Sequence, residues 1–200
     1  YLCLAHMSED GIEQKYVKEA FDTNWVVPLG PNVNAFEEDL KNFVGGKNEV
    51  VALSAGTAAV HLALIGCGVG AGDEVLVQSF TFCASSHPVT YLGAKPVFVG
   101  SERDTWNMDP VLLEEAIKDR MEKTGRKPKA IVPVALYGMP YDCERIMEIA
   151  NRYDIPVVED AAEGFGSRFD GRVLGTFGRF GVLSFNGNKM ITTSGGGALI

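Results

Sequence analysis

The sequence is poor in the features that mark several large protein classes. Its four cysteines, Cys3, Cys67, Cys83 and Cys143, are far apart, no C-x-x-C pair occurs, and there are only three histidines. This spacing indicates neither a disulfide framework nor a metal site, and it suits a reducing cytoplasm. No apolar run approaches the roughly 18 residues that cross a bilayer, and residues 1–11 lack the basic head and long apolar centre of a secretion signal. We therefore expect a cytoplasmic protein with no membrane partner.

Positive charge is also scarce. The chain has 18 basic and 26 acidic residues, which gives a formal net charge of −8. A negative chain of this kind does not present a broad footprint for nucleic acid or for an anionic membrane. The glycine patterns of the P-loop and of the dinucleotide-binding loop are missing after the first predicted strand. We expect no nucleic-acid partner.

What the sequence has is a regular alternation of short apolar runs and helical patterns. With 46% hydrophobic and 22% charged residues, its composition is that of a globular protein. Two helices are predicted first, at residues 8–21, with Ser8 as the cap, and at 32–43. Seven strands are then predicted at residues 49–53, 74–78, 95–99, 130–135, 156–159, 180–185 and 196–200, with helices between them at 57–65, 82–92, 110–123 and 141–153. This order predicts an α/β fold with a mostly parallel seven-stranded sheet and helices on both faces.

In such a fold, ligands bind beyond the carboxyl ends of the strands, so the loops there are the candidate site. The loop after the first strand, residues 54–59, consists of small residues and opens a helix, which makes an anion site or simply a packing turn. After the second strand, Phe80 or Phe82 could lie over a flat heteroaromatic ring, although either residue also suits a core position.

Two charged side chains follow later strands. Either Glu159 or Asp160, at the end of a buried strand, needs a positive partner, which could be a protonated pyridine nitrogen, an arginine or a helix start. Lys189 follows Ser184 and a turn, and lysine can condense with an aldehyde, although a surface lysine would give the same pattern. Taken in order, the four loops offer what pyridoxal phosphate needs: a phosphate cradle, a stacking ring, an acid and an amine.

Several long motifs resemble one family over essentially the whole chain. They are TNWVVPLGPNV, ALSAGTAAVHLAL, GDEVLVQSFTFCAS, YLGAKPVFV, LYGMPYD, VVEDAAEGFGS and LGTFGRFGVLSFNGNKMITTSGGGALI. The sequence resembles the DegT/DnrJ/EryC1/StrS sugar aminotransferases, which use pyridoxal 5'-phosphate. This resemblance implies the three-layer α/β/α large domain of the fold-type-I enzymes. It also implies an N-terminal region, residues 1–45, that carries helices and a substrate loop, a cofactor-binding domain at 46–200, and a smaller C-terminal domain that this sequence does not include.

The resemblance also implies roles for individual residues. Lys189 would bind the cofactor aldehyde, and Asp160 would pair with the pyridine nitrogen. The other implied cofactor contacts are Gly56, Thr57, Ala58 and Ser184 at the phosphate, Phe82 on the ring and Glu163 near the ring hydroxyl. By resemblance only, Asn24 and Trp25 would contact the sugar or nucleotide, with loop packing as the alternative.

Within the family, residues 184–197 together with residues 23–30 (TNWVVPLG) are most similar to enzymes that aminate C4 of a UDP-linked 4-keto-6-deoxy-N-acetylhexosamine, on the route to bacillosamine-type sugars. Two positions differ from many relatives: Ser194 replaces an acid, and Glu163 replaces glutamine or histidine. The implied reaction moves an amino group from L-glutamate to a UDP- or dTDP-linked keto sugar, in a homodimer with a shared active site.

Two other functions fit the same resemblance. One is a sugar dehydratase of the same fold, which has histidine at the lysine position. The other is a non-catalytic regulator or binding protein built on the same scaffold. The presence of Lys189 argues against the dehydratase, and the acidic charge argues against a DNA-binding regulator.

Overall fold

The computed structural model describes residues 6–200, so Cys3 lies outside the described part of the chain. Six α-helices are present in these residues: α1 (Ile12–Asp22), α2 (Pro31–Phe43), α3 (Gly56–Gly66), α4 (His87–Tyr91), α5 (Pro110–Thr124) and α6 (Cys143–Tyr153). Nine strands accompany them: β1 (Val51–Leu53), β2 (Glu74–Gln78), β3 (Lys95–Val99), β4 (Ala130–Val132), β5 (Val158–Asp160), β6 (Arg168–Phe169), β7 (Arg172–Val173), β8 (Phe180–Ser184) and β9 (Gly197–Leu199). Short 3-10 turns lie at Cys83–Ser85 and Leu136–Gly138.

Seven of these strands form one continuous layer. Four of them run in the order β1-β9-β8-β5 and three in the order β3-β2-β4. Parallel bridges from Ile131 to Val157 and from Val134 to Asp160 join the two groups. The pairs β2–β3, β2–β4 and β5–β8 are parallel, whereas β9 is antiparallel to both β1 and β8. The predicted seven-stranded, mostly parallel α/β fold is confirmed.

Alternating residues of the strands build two separate cores, one on each face of the sheet. Val75 and Val77 of β2 join a cluster with α3 and α4, whereas Leu76 between them joins a cluster with α2, α5 and α6. This is the period of two that a strand buried on both faces requires. The helices therefore form two outer layers around the sheet.

Helix α2 packs directly on the sheet, whereas α1 does not. The Phe36 ring meets Phe185 edge-on at 5.2 Å, and Glu37 accepts a hydrogen bond from the Ala52 amide at 2.8 Å. Helix α1 buries none of its residues, and its apolar side chains Tyr16 and Phe21 are exposed. The predicted boundary at residue 45, between an N-terminal region and a cofactor-binding domain, stays a prediction. Helix α2, which precedes this boundary, packs into the core formed by the residues that follow it.

Two local predictions are wrong, and one element was missed. Helix α1 does not begin at Ser8. The cap is Gly11, with φ 67°, and the amide and hydroxyl of Ser8 donate hydrogen bonds to the Glu13 carboxylate. The predicted helix at 82–92 is a 3-10 turn followed by α4, since Pro88 lacks the amide that a continuous helix needs. The hairpin β6–β7 was not predicted at all. Its turn, Asp170-Gly171, has positive φ at both residues, and Asp-Gly is a strong hairpin signal.

Within residues 6–200, no helix combines the length and the apolar character needed to cross a bilayer. The same residues contain no group of three or more His, Cys, Asp or Glu side chains arranged to hold a metal ion.

Candidate active site

A cavity of about 390 Å³ lies where several strands of the sheet end. Asp160 ends β5 and Ser184 ends β8, and both line the cavity. The loop after β1, the loop after β2 and the turn after β8 contribute the rest of its wall. The cavity therefore occupies the place where open α/β sheets bind ligands.

One wall is the start of α3. Gly56 begins this helix so close to β8 that an added Cβ would lie 2.9 Å from Ser184 Cβ and 3.2 Å from its Oγ. Only glycine fits there without displacing the strand. The first amides of a helix have no partner inside it, and no side chain caps this one, so the start of α3 is suited to an anion.

A second wall carries Asp160. Its side chain is 4% exposed, and Oδ2 accepts a hydrogen bond from Ser85 Oγ at 2.6 Å, while Oδ1 accepts one from the Ala162 amide at 3.2 Å. Burial raises the pKa of Asp160, whereas these two hydrogen bonds and the charge of Lys189 lower it. Among the described residues, no ion pair includes Asp160.

A third wall carries Lys189, on a turn in which its amide bonds to the Asn186 carbonyl at 2.9 Å. Lys189 Nζ lies 3.3 Å from Glu163 Oε1, and the lysine side chain is 13% exposed. The other oxygen of Glu163 accepts a hydrogen bond from the Tyr137 amide at 2.7 Å. Tyr137 has φ 51°, a left-handed conformation that is uncommon for a residue other than glycine. Glu163 thus links the lysine to a strained turn.

Phe82 lies at the mouth of the cavity, with 73% of its side chain exposed, and is one of its lining residues. Phe80 is not, because its ring packs edge-on against Trp106 at 5.8 Å. Of the two phenylalanines that the sequence left open, only Phe82 presents a ring to the cavity. An exposed aromatic face of this kind suits stacking against a flat ligand.

The cavity brings together most of the predicted cofactor contacts, namely Gly56, Thr57, Phe82, Asp160, Glu163, Ser184 and Lys189. Ala58 is the next residue of α3 and does not line it. Asn24 and Trp25 lie after α1, where Trp25 packs over Gly30, and the structure does not bring them to the cavity.

Ser85 and Thr81 line the cavity but were not predicted as site residues. Their only sequence signal is that they follow β2 closely, in a stretch of small and hydroxyl-bearing residues. The hydrogen bond that gives Ser85 its importance joins it to a residue 75 positions later.

The arrangement suits a ligand with three features. An anionic group fits the start of α3, a basic ring atom fits the Asp160 carboxylate, and a carbonyl group fits the Lys189 amine. Cavities that hold small cofactors typically have roughly 300–1,000 Å³, so this volume is sufficient.

Comparison with known proteins gives consistent results. The sequence profile of the DegT/DnrJ/EryC1/StrS aminotransferase family matches residues 7–200. EpsN of Bacillus subtilis (strain 168), provisionally named a pyridoxal phosphate-dependent aminotransferase, is 52% identical over 200 residues, which are 100% of this chain and 50% of EpsN. The GDP-perosamine synthase of Caulobacter vibrioides is 43% identical over 190 residues, which are 95% of this chain and 49% of that protein.

Solved structures agree. The X-ray structure of the aminotransferase from Psychrobacter cryohalolentis superposes with a TM-score of 0.88 at 32% identity, and the match covers 100% of this chain and 48% of that one. This likeness confirms the predicted fold-type-I architecture. The chain spans about half the length of the relatives it matches.

Proposed function

Because the chain belongs to the DegT/DnrJ/EryC1/StrS aminotransferase family, we propose that it binds pyridoxal 5'-phosphate and acts as an aminotransferase in nucleotide-sugar biosynthesis. The observation that carries this proposal is the placement of Asp160 and Lys189 in one cavity. Asp160 is almost fully buried and has no basic partner among the described residues. A carboxylate in that position favours a positively charged ligand atom, and a protonated pyridine nitrogen is one.

The rest of the cavity fits the same cofactor. The free amides at the start of α3, with Thr57 and the Ser184 hydroxyl nearby, would hold the phosphate. Phe82 would lie against the pyridine ring, and Glu163 would lie near its hydroxyl. When bound, the cofactor supplies an aldehyde that accepts the amino group and a protonated ring that withdraws electrons from the reacting carbon.

Lys189 is the group that would move protons. Of the described residues that line the cavity, only Lys189 carries an amine. Its Nζ would hold the cofactor until the amino donor displaces it, and would then act as base and acid at the Cα of the donor and at C4 of the sugar. Glu163, 3.3 Å from Nζ, would orient the amine for this task.

For the substrates, we propose L-glutamate as the amino donor and C4 of a UDP- or dTDP-linked 4-keto-6-deoxy sugar as the acceptor. The resemblance of residues 184–197 to enzymes of bacillosamine-type sugars supports this choice. The name of one relative, GDP-perosamine synthase, also refers to a nucleotide-linked compound. The product would serve a cell-surface polysaccharide or glycan.

For assembly, we propose a cytoplasmic homodimer in which a second copy completes the site. The apolar side chains of α1 and of the loop after it support this proposal, because Val17, Phe21 and Trp25 are between 48% and 72% exposed. Large apolar side chains exposed on one short segment are typical of protein interfaces. Asn24 and Trp25 would contact the sugar or nucleotide only within such an assembly.

The test begins with the purified protein and pyridoxal phosphate. The wild type should become yellow, and glutamate should bleach the colour. Lys189→Ala should abolish the colour that depends on covalent attachment and lower amination about 1,000-fold or more. Lys189→Arg is the matched control, because it keeps the charge but cannot condense with an aldehyde.

A panel of UDP-, dTDP- and GDP-linked keto sugars, assayed with glutamate, then identifies the acceptor. If Lys189→Ala keeps the colour and the activity of the wild type, the catalytic assignment is wrong. Uptake of cofactor without amination of any sugar would favour the non-catalytic alternative, and dehydration of the sugar would favour the dehydratase.

A further inference from the structure

Asp160 is the end of a short chain of hydrogen-bonded hydroxyls. Thr81 Oγ1 lies 2.9 Å from Ser85 Oγ, which lies 2.6 Å from Asp160 Oδ2. A serine hydroxyl has one proton, so when Ser85 donates to the carboxylate, Thr81 must donate to Ser85. The hydrogen bonds therefore all donate in one direction, from Thr81 through Ser85 to the Asp160 carboxylate.

The chain holds Asp160 at one oxygen while the backbone holds it at the other. Oδ2 accepts from Ser85, and Oδ1 accepts from the amide of Ala162. A carboxylate has about four acceptor positions, so each oxygen keeps one for a ligand. Two donors on two oxygens also prevent the carboxylate from rotating.

Ser85 is built into this position by the turn that carries it. The 3-10 turn Cys83–Ser85 is closed by the Ser85 amide, which donates to the Phe82 carbonyl at 3.1 Å. The same turn thus presents the Phe82 ring to the cavity and places the Ser85 hydroxyl, 1% exposed, against Asp160.

We propose that Ser85 is a positioning residue whose hydroxyl keeps the Asp160 carboxylate ionised and oriented for a protonated ring nitrogen. This inference rests on the proposed function and adds to it a residue that does not itself react. Burial opposes the ionised form of Asp160, and the hydrogen bond from Ser85 is the largest of the effects that favour it. Removing the hydroxyl leaves the acid buried with a single donor.

The test compares two ligands in two proteins. Dissociation constants are measured for pyridoxal phosphate and for its carba analogue, in which a C–H group replaces the ring nitrogen, with the wild type and with Ser85→Ala. Loss of one hydrogen bond to a charged group should weaken binding of pyridoxal phosphate about 10- to 100-fold. Binding of the analogue should not change, because the analogue has no ring nitrogen for Asp160. An equal loss for both ligands would show that Ser85 only supports the local structure, and would overturn the inference.

Ser86→Ala is the matched control. Its hydroxyl bonds to the Cys83 carbonyl at 3.2 Å, in the same segment but away from Asp160. It should bind both ligands as the wild type does. Ser85→Thr keeps the hydroxyl and should restore the preference for pyridoxal phosphate over the analogue.

Thr81→Val removes the first hydroxyl of the chain at nearly constant volume, and should give a smaller loss that is again confined to pyridoxal phosphate. This variant supplies the same test if Ser85→Ala does not fold. The two proposals fail differently. If the wild type binds no pyridoxal phosphate, the proposed function fails and the inference fails with it. If the wild type binds it and Ser85→Ala binds each of the two ligands as tightly as the wild type does, only the inference fails.

Discussion

Glu159 and Asp160 are neighbours on β5, yet their side chains face opposite sides of the sheet and have different surroundings. Asp160 faces the α3 side, where it lines the cavity and has a donor on each oxygen. Glu159 faces the α6 side and is 0% exposed, and its Oε2 accepts from the Tyr141 hydroxyl at 2.6 Å. Its Oε1 has no well-aligned hydrogen-bond partner among the described residues.

Burial alone therefore does not give an acid a role in ligand binding. Burial raises the pKa of both carboxyls, and it raises that of Glu159 to about 7. What distinguishes Asp160 is its opening to a cavity that also contains an amine. Glu159 has no access to that cavity, so we expect it to affect stability, whereas Asp160 affects chemistry.

The largest expected difference comes from Asp160→Asn, which removes the charge and keeps the shape. We expect kcat/KM for amination to fall roughly 100- to 1,000-fold, the range for loss of one pre-organised electrostatic group. Thermal unfolding of the cofactor-free protein should shift little, because no buried charge is left without a partner. Glu159→Gln is the control and should keep its activity. Equal losses of activity in the two variants would remove the distinction between the two acids.

A pH-dependent difference in stability is expected from Glu159. Its pKa is 4.5 in the unfolded chain, and burial raises it to about 7 in the folded protein. The contribution of this carboxyl to the free energy of unfolding is therefore fully present below pH 4.5 and is lost as the pH rises to about 7. The stability of Glu159→Gln relative to that of the wild type should therefore rise by roughly 3 kcal/mol between pH 4.5 and pH 7. Urea unfolding at several pH values measures this, and a constant difference would contradict it. The groups that face the carboxyl are Tyr141, Cys143, Arg172 and the backbone amides of Thr176 and Phe177.

The smallest expected effect comes from Tyr141→Phe, which removes the hydroxyl that bonds to Glu159. Loss of one buried hydrogen bond should lower the free energy of unfolding by about 1–2 kcal/mol. The dissociation constant for pyridoxal phosphate should be unchanged, because Tyr141 lies on the α6 side of the sheet. Chemical denaturation and a cofactor titration measure the two quantities. A weaker cofactor complex would mean that the two faces of β5 are coupled.

Part of the site could be predicted because the sheet itself organises it. Ser184 ends a strand, Lys189 follows the same strand, and an acid ends β5, so recognising parallel strands brought these groups to one edge. The choice of Asp160 over Glu159 came only from the family resemblance. Gly56 lies in the loop of small residues that was a candidate anion site, but its own role was implied only by the family resemblance, and the closeness of Ser184 that requires glycine there is a long-range contact.

Other features depend on contacts that no local pattern shows. The bond between Ser85 and Asp160 depends on how the turn after β2 sits beside β5, and the tie between Glu163 and the Tyr137 amide depends on a left-handed residue in a turn. The antiparallel direction of β9 could not be predicted either, since an apolar run has no direction of its own.

The position of β9 has a consequence for how the protein forms. This strand lies between β1 and β8, and its Leu199 pairs with Val51. During synthesis, β1 therefore emerges from the ribosome long before its neighbour exists, and the sheet closes only when residues up to Leu199 are available. Such long-range pairing slows folding and leaves strand edges uncovered in the meantime. Nascent chains in which β9 has not yet left the ribosome should accordingly be the species that chaperones bind.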